Sequence, residues 1–362
     1  MRLTACLCAS VIWLSRSASA QEPAAPSPNR ATPESAPYAA EQVTVRSPYG
    51  HSLGGTLTLP RHAGRPLPVV LLISGTGPQT RDGSARGDTA HQPFRQIADS
   101  LSRRGVAVLR VDDRGVAEGQ HRLTSALQVA EDVRAALALL RARADIDPAR
   151  IALIGHSEGG MVALMVASSD PALRAVVLMA APAERPIDML REMNARSAAR
   201  THSTEAGRDS VLRLMLPALE WQLQTEWARL SGSYDPLIAA RAVQVPSVLV
   251  MQGETDWQVP PEHAGRLAQA IRSGGVCDVT ERTFPGVNHL FVDDPEGVAD
   301  YESLPSQRLS SAVLGVLADW TVSRLRNERP QNTRGRGCDA DVRGRVLGRL
   351  LRHHYRIPAR PC

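Results

Sequence analysis

Ser157 stands at the centre of the segment Gly-His-Ser-Glu-Gly, residues 155–159, with a glycine two positions away on either side. An apolar run at 151–154 precedes this segment, and a helical pattern at 161–167 follows it. A serine on a tight strand-to-helix turn needs glycine at both flanking positions, because the two backbones approach closely there. The pattern therefore predicts that Ser157 is a nucleophile displayed at the end of a strand.

A serine hydroxyl is a weak nucleophile unless a histidine accepts its proton and a carboxylate orients that histidine. On sheets that display such a serine, the acid and then the histidine follow it along the chain. Asp256 follows the apolar run at 248–251, and His289 follows the last predicted strand. We therefore predict a catalytic triad of Ser157, Asp256 and His289. Glu254 shares the loop of Asp256 and stays open as an alternative acid.

Other histidines compete with His289 for the role of base. His156 adjoins the nucleophile, and we expect its side chain to point away from it. The other competitors do not lie in the loop directly after the last strand: His202 is in the long insertion, His263 opens a helix, and His353 and His354 lie in the tail. His289 therefore fits the required order best.

The tetrahedral intermediate of acyl transfer carries a negatively charged oxygen, which backbone N–H groups must stabilise. One donor is expected from Glu158, the residue after the nucleophile. The second is expected from the loop Ser-Gly-Thr-Gly-Pro at 74–78, which follows a predicted strand. Thr76 is the first choice and Gly75 the second. Taken alone, this loop equally fits an ordinary turn.

Short apolar runs alternate with helical patterns along most of the chain. The predicted strands are 68–74, 106–111, 151–155, 175–180, 247–252 and 276–284, after a hairpin of 42–47 and 53–59. The predicted helices are 91–104, 123–143, 158–169, 261–273 and 306–326. Strands that are apolar throughout are typical of a parallel sheet covered on both faces. The pattern predicts an α/β fold with a doubly wound, mostly parallel sheet and an N-terminal antiparallel hairpin.

One connection is unusually long, with roughly 60 residues between the strands at 175–180 and 247–252. An insertion of this length is usually functional or separately folded. Its sequence is helical and carries Trp221 and Trp227. We predict that residues 183–245 form a helical lid over the active site. A surface helical hairpin with no role in binding is the alternative.

The two ends of the chain differ from its middle. Residues 1–20 combine Arg2, an apolar run too short to span a bilayer and a Ser-Ala-Ser-Ala segment, as a secretory signal peptide does. Residues 21–40 are rich in Pro, Ala and Ser and predict a flexible linker. We therefore expect a secreted or periplasmic protein with its folded domain at 41–326 and an arginine-rich tail at 327–362.

The basic charge does not by itself indicate a nucleic-acid partner. The net charge is +5, and all 42 basic residues are arginine and are scattered along most of the chain. We therefore predict no nucleic-acid partner. Residues 342–355 could form a basic amphipathic helix that contacts an anionic membrane, although a disordered tail is favoured.

Metal and cofactor sites have little support in the sequence. Beyond the leader only Cys277, Cys338 and Cys362 remain, without a Cys-x-x-Cys or His-Glu-x-x-His spacing. We predict neither a metal nor a cofactor. Cys338 and Cys362 could pair in an oxidising compartment, and free thiols are the alternative.

The loop at 74–83, Ser-Gly-Thr-Gly-Pro-Gln-Thr-Arg-Asp-Gly, resembles the His/Ser-Gly-Ser-Gly-Pro-x-Asp-Arg-Asp loop of bacterial α/β-hydrolase esterases. Segments similar to the same group are 112–115, 155–160 and 288–291, so the resemblance spans about 41–325. The family resembled is that of carboxylesterases related to the acyl-aminopeptidase and dienelactone-hydrolase branches. Thr80 stands where the family often has Asp, and Ser74 where related hydrolases have His.

This resemblance implies the α/β-hydrolase fold, the same triad and the same two oxyanion donors. We also expect Asp113 and Arg114 to brace the site from beneath. The predicted activity is hydrolysis of small acyl esters through a covalent acyl-enzyme. The same triad would serve an exopeptidase or a thioesterase, although peptidases of the prolyl-oligopeptidase type usually carry a large N-terminal propeller. A binding protein without catalysis is the alternative from a different class, and an intact triad argues against it.

Overall fold

The computed structural model describes residues 36–84, 88, 90–117, 124–298 and 300–326. The predicted leader, most of the predicted linker and the arginine-rich tail lie outside these residues, as do Cys338 and Cys362. None of the helices in the described residues has the length and apolar character needed to cross a membrane. Among the same residues, no group of three or more His, Cys, Asp or Glu side chains is placed to hold a metal ion.

Eight strands form one sheet in the order β1-β2-β4-β3-β5-β6-β7-β8. The strands are β1 Tyr38–Arg46, β2 Ser52–Pro60, β3 Leu67–Ile73, β4 Ala107–Val111, β5 Ile146–His156, β6 Ala175–Met179, β7 Ser247–Gly253 and β8 Asp278–Phe284. The pairs β1–β2 and β2–β4 are antiparallel, and the remaining neighbours are parallel. The mostly parallel sheet and its N-terminal hairpin were both predicted. β1 starts at Tyr38 rather than near residue 41, because Tyr38 pairs with Pro60 and its hydroxyl donates to Asp99 at 2.7 Å.

Helices cover both faces of this sheet. They are α1 Pro93–Ser102, α2 Ala126–Arg141, α3 Glu158–Ala167, α4 Pro186–Thr201, α5 Glu205–Leu223, α6 Glu226–Ser231, α7 Pro236–Ala242, α8 Glu262–Ser273 and α9 Ser311–Arg326. Alternate residues of β3 point to opposite faces: Leu71 packs in the core under α2, α3, α7 and α8, whereas Val70 packs under α1 and α9. The sheet is therefore doubly wound, as predicted.

The long connection between β6 and β7 contains α4, α5, α6 and α7. α7 packs into the main core through Ala239 and Ala240. The other three helices form small apolar clusters of their own, one of them around Leu190, Trp227 and Ala228. The part that stands apart from the sheet layers is therefore α4–α6, which is shorter than the predicted insertion at 183–245.

Two aspartates after β4 hold the loop that follows β3. Both carboxylate oxygens of Asp113 accept from the Ser74 hydroxyl, at 2.8 and 2.9 Å, and one accepts from the backbone N–H of Gln79 at 2.8 Å. Asp112 accepts from the backbone N–H of Arg81 at 2.7 Å and forms a salt bridge with its guanidinium. The brace expected beneath the site is therefore formed by Asp112 and Asp113.

Arg114, which was expected to share this brace with Asp113, instead binds Asp132 on α2. Its guanidinium donates to both carboxylate oxygens of Asp132 on α2, at 2.5 and 2.7 Å. The side chains of this pair are only 8% and 10% exposed. The same guanidinium lies 4.5 Å from the centre of the Tyr49 ring in the β1–β2 turn. Arg114 therefore ties the hairpin, the β4 loop and α2 together.

Thr80, which replaces the aspartate common in the resembled family, still closes a turn. Its backbone N–H donates to the carbonyl of Ser84 at 2.8 Å, and its hydroxyl donates to the same oxygen at 3.1 Å. The backbone N–H of Gly83 donates to the carbonyl of Thr80 at 2.8 Å. The threonine therefore keeps the loop folded back on itself.

The Arg114→Ala substitution tests the buried ion pair. It leaves the Asp132 carboxylate desolvated without its cation, so we expect the free energy of unfolding to fall by about 3–5 kcal/mol in urea titrations. The control, Arg134→Ala, removes the Arg134–Glu131 salt bridge on the same helix, which is more exposed than the Arg114–Asp132 pair. It should lower the free energy of unfolding by less than about 1 kcal/mol. Equal losses in the two variants would contradict this account.

The Asp113→Asn substitution tests the brace through its pH dependence. Burial raises the pKa of Asp113 from 3.8 to about 7. The folded protein thus binds this proton more tightly than the unfolded chain, and stability falls as the pH rises from about 4 to 7. In Asp113→Asn, the decrease in the free energy of unfolding between pH 4 and 7 should be smaller than in the wild type by about 1–3 kcal/mol, as measured in urea titrations. This is less than the pKa shift alone would give, because residual solvent contact screens the carboxyl. The exposed Asp319→Asn control should retain it, and an unchanged pH dependence in Asp113→Asn would refute the assignment.

Candidate active site

Ser157 sits in a strained turn between β5 and α3. Its φ is 55° and its ψ is −123°, a backbone conformation that residues other than glycine rarely adopt. Two backbone hydrogen bonds hold the turn. The N–H of Ser157 donates to the carbonyl of Met179 on β6 at 2.8 Å, and the N–H of Gly160 donates to the carbonyl of Ser157 at 2.9 Å. Such strain persists only where the surrounding structure imposes it, and it is common at functional sites.

The two flanking glycines are required by close backbone contacts. A Cβ atom at Gly155 would overlap the carbonyl group of Gly159 on α3. A Cβ atom at Gly159 would overlap the carbonyl oxygens of Ile73 and Ser74, where β3 ends. The glycine spacing seen in the sequence therefore lets β3, β5 and α3 meet at the serine.

Asp256 and His289 are in direct contact, and both are buried. Nδ1 of His289 lies 2.8 Å from Oδ2 of Asp256. A carboxylate only accepts hydrogen bonds, so Nδ1 carries the proton and Nε2 of the neutral ring is left as the basic nitrogen. Asp256 therefore orients His289 as the acid of a triad would.

The remaining hydrogen bonds of Asp256 fix its own orientation. Oδ1 accepts from the backbone N–H groups of Gln258 and Val259, both at 2.9 Å, and Oδ2 accepts from Nε2 of Gln252 at 2.8 Å. Gln252 is fully buried near the end of β7 and also donates to the Val259 carbonyl at 2.9 Å. Sequence reasoning missed Gln252, since a single polar residue at the end of an apolar strand gives no signal of its partner.

The loops that carry the acid and the histidine are joined by backbone bonds. The N–H of Thr255 donates to the Val287 carbonyl at 3.0 Å, and the N–H of Glu254 donates to the Phe284 carbonyl at 3.0 Å. The side chain of Glu254 is exposed and accepts from the backbone of Gly286 at 3.3 Å. The structure therefore places Asp256, not Glu254, against His289.

His156 supports the catalytic candidate from the other side. Its Nε2 lies 2.9 Å from the backbone oxygen of His289, and the two rings are 4.9 Å apart. Burial lowers the pKa of His156 to about 3, so the ring is neutral and donates its Nε2 proton to that oxygen. Sequence reasoning predicts that this side chain points away from the nucleophile, but it does not reveal the contact with His289.

Ser157 and His289 are not hydrogen bonded to each other within the described residues. They are connected through His156, which precedes the serine and binds the backbone of His289. In hydrolases without a bound substrate this hydrogen bond is often long or poorly aligned, and it tightens when the substrate arrives. The structure therefore places Asp256 and His289 in direct contact, and it links Ser157 to His289 through His156.

The predicted oxyanion loop lies directly beside the serine. A Cβ atom on Gly75 would lie 3.3 Å from Cβ of Ser157. The backbone N–H groups of Thr76 and Glu158 make no backbone hydrogen bond in the described part of the chain, and Thr76 is exposed. The Glu158 N–H also lies in the first turn of α3, where the helix dipole favours a negative charge. Both groups are therefore available as donors.

α4 and α6 of the long connection each reach one side of this site. Arg196 on α4 donates to the carbonyls of Trp257 and Gln258, beside the acid, at 3.0 and 2.9 Å. Trp227 on α6 donates from its indole nitrogen to a carboxylate oxygen of Glu158, next to the nucleophile, at 2.9 Å. These helices therefore border the site at both the acid and the serine.

Comparison with known proteins identifies a family and several relatives of this chain. The profile of the prolyl oligopeptidase family matches residues 92–305, more than half of the chain, and this span contains Ser157, Asp256 and His289. Esterase EstD of Thermotoga maritima is 26% identical over 305 residues, which cover 82% of this chain and 70% of EstD.

Solved structures share the fold. A dienelactone hydrolase homologue from Klebsiella pneumoniae, described as putative, has a TM-score of 0.52 and 15% identity, and covers 80% of this chain and 98% of its own. Est1E from Butyrivibrio proteoclasticus has the same TM-score and identity, with coverages of 78% and 98%. A puromycin-hydrolyzing peptidase from Mycobacterium tuberculosis has a TM-score of 0.53 at 21% identity, with coverages of 82% and 41%.

The α/β-hydrolase fold expected from the sequence is thereby confirmed, as is the resemblance to the α/β-hydrolase superfamily. The matched family is the prolyl oligopeptidase family, whose peptidases are the alternative to an esterase predicted from the sequence. With its strained serine, its acid–histidine pair and its matched span of 92–305, this chain belongs to the prolyl oligopeptidase family of hydrolases.

Proposed function

We propose that this protein is a serine hydrolase that cleaves carboxylic acyl esters through a covalent acyl-enzyme. The observation that carries the proposal is the buried Asp256–His289 hydrogen bond at 2.8 Å, which His156 connects to Ser157, the adjacent residue with a positive φ. A buried carboxylate that fixes the tautomer of a histidine next to a strained serine is the arrangement that activates a hydroxyl as a nucleophile. A purely structural turn would require neither feature.

In the proposed reaction, Nε2 of His289 removes the proton of Ser157 while Oγ attacks the carbonyl carbon of the ester. Asp256 stabilises the imidazolium that forms, and the N–H groups of Thr76 and Glu158 bind the oxyanion. The C–O bond to the alcohol then breaks, and His289 delivers its proton to the departing oxygen. Water, activated by the same histidine, releases the acid and restores Ser157.

The choice of an ester substrate is supported by EstD, the esterase that aligns with 82% of this chain. The family takes its name from a peptidase, and a puromycin-hydrolyzing peptidase shares the fold. An amide substrate is therefore the second candidate. Because both reactions use the same triad, the shape of the pocket around the leaving group decides between them.

We further propose that α4 and α6 form a wall of the substrate site, in the manner of the predicted lid. Their contacts beside the acid and beside the nucleophile support this role. Export of the protein through the leader at 1–20 stays a prediction, as does a disordered rather than membrane-binding tail at 327–362.

Three substitutions test the assigned triad in hydrolysis of p-nitrophenyl acetate. Ser157→Ala should lower kcat by at least about 10³-fold, because it removes the nucleophile. Asp256→Ala should lower kcat by about 10²- to 10⁴-fold, because the tautomer of His289 is no longer fixed. Glu254→Ala is the matched control in the same loop and should stay within about twofold of wild type.

The opposite ranking of the two acids would move the role from Asp256 to Glu254. Full activity in Ser157→Ala would refute the covalent mechanism. Thermal unfolding of each variant checks that the comparison is made on folded protein.

A substrate panel tests the ester assignment. We expect kcat/KM for p-nitrophenyl esters of two to eight acyl carbons to exceed kcat/KM for aminoacyl p-nitroanilides by at least about 10-fold, corresponding to about 1.4 kcal/mol of transition-state stabilisation. Both substrate series release a nitroaromatic chromophore, and dividing each kcat/KM by the uncatalysed rate constant of that substrate corrects for the greater intrinsic reactivity of the esters. Faster cleavage of the anilides than of every ester would establish the peptidase alternative.

A further inference from the structure

His156, the residue before the nucleophile, carries a side chain that takes no part in the proposed proton transfers. It is the last residue of β5, where its backbone pairs with Met179 of β6. Its Nε2 lies 2.9 Å from the backbone oxygen of His289, and the centres of the two histidine rings are 4.9 Å apart. The side chain next to the nucleophile therefore binds the backbone of the proposed base.

The direction of this hydrogen bond follows from the surroundings of His156. Burial, and then the neighbouring His289 ring, lower the pKa of His156 to about 3, so its ring is neutral at neutral pH. A carbonyl oxygen only accepts, so Nε2 of His156 carries the proton and donates it. A neutral ring also does not repel the imidazolium that forms on His289 during the proposed reaction.

Phe291 supplies a second contact to the His156 ring. The two rings meet edge to face with centres 6.1 Å apart, and Phe291 is fully buried. Its φ is 58°, a conformation that costs a residue other than glycine about 1–3 kcal/mol. The N–H of Phe291 donates to the Asn288 carbonyl at 3.0 Å, and its carbonyl accepts from the N–H of Ser310 at 2.8 Å. The loop thus holds a strained residue whose ring packs against His156.

The loop that carries His289 is folded by hydrogen bonds of its own. The side-chain oxygen of Asn288, a fully buried residue, accepts from the backbone N–H groups of Leu290 and Val292 at 3.0 and 3.2 Å. The side-chain nitrogen of Asn288 donates to a carboxylate oxygen of Asp294 at 3.3 Å. These bonds shape the loop on both sides of His289, but they do not attach it to β5. The bond from His156 makes that attachment.

We propose that His156 is a positioning residue that sets how far Nε2 of His289 lies from the hydroxyl of Ser157. The inference rests on the proposed function, since it concerns the proton transfer between these two side chains. Asp256 fixes the ring of His289 through Nδ1, and His156 fixes its backbone through the carbonyl oxygen. Because His156 and Ser157 are consecutive, the anchor of the base and the nucleophile move together. A displacement of about 1 Å at a reacting group can cost about 10²-fold in rate.

Two amide variants test this role in steady-state hydrolysis of p-nitrophenyl acetate. In His156→Gln the side-chain nitrogen takes the place of Nε2 and can donate to the His289 carbonyl, so kcat should stay within about threefold of wild type. In His156→Asn the side chain is one carbon shorter and the bond is lost. There kcat should fall by about 10- to 100-fold with KM nearly unchanged, because only the proton transfer is affected.

His91→Phe is the matched control. His91 is another buried histidine whose ring binds a backbone carbonyl, that of Gln307 at 3.0 Å, and this partner is not in the loop of His289. The control should keep kcat within about twofold of wild type. Thermal unfolding of each variant checks that folded proteins are compared.

A double-mutant cycle separates positioning of the base from general support of the fold. If His156 acts through His289, His156→Asn should lower kcat in the wild type and leave the residual kcat of His289→Ala within about twofold. His156→Phe keeps a ring against Phe291 without the donor, and it takes the place of His156→Asn if that variant does not fold. Equal fold losses with and without His289, equal losses in the glutamine and asparagine variants, or wild-type kcat in His156→Asn would overturn the proposal.

The outcome is separable from failure of the proposed function. If wild-type protein does not hydrolyse esters, or if Ser157→Ala does so equally well, the mechanism itself fails. If those two results are as proposed and kcat does not respond to His156, only the positioning role is refuted.

Discussion

The close approach of three backbones at Ser157 is the constraint on which the site depends. β3, β5 and α3 come together so tightly that no side chain fits at Gly155 or Gly159. This contact forces a positive φ on the serine and leaves the first N–H of α3 without a backbone acceptor in the described structure. It also brings the loop after β3 beside the nucleophile. The strain is maintained by neighbouring strands, since the N–H of Ser157 is bound by Met179 of β6.

The polar network around this contact is organised by hydrogen bonds more than by ion pairs. Asp256 is satisfied by His289, Gln252 and two backbone N–H groups. Asp113 is held by Ser74 and by the backbone of Gln79. Desolvated carboxyls with such partners have definite orientations, because each lost bond would leave a polar group unpaired. The loops at the site are thereby fixed by hydrogen bonds to buried carboxyl groups.

The sequence predicted features that depend on local pattern or on chain order. The apolar runs predicted the buried strands. The spacing of Gly155 and Gly159 predicted the turn at Ser157, because neighbouring backbone atoms leave no room for a side chain at either glycine. β8 does not fit the expectation that the parallel strands are apolar throughout. It is an edge strand of the sheet, and some of its residues, such as Arg282, are exposed. Long-range side-chain partners, including Arg114 with Asp132 and Trp227 with Glu158, depend on tertiary packing that no local pattern records.

Covalent labelling of the folded protein with a fluorophosphonate, followed by peptide mass spectrometry, tests the central claim most directly. The reagent reacts with a serine only when a base activates its hydroxyl and donors stabilise the developing oxyanion. The account predicts one adduct, on Ser157, that forms in the native protein, is lost after thermal unfolding and is strongly slowed by His289→Ala. An adduct on another residue, or no adduct on Ser157 in the folded protein, would contradict it.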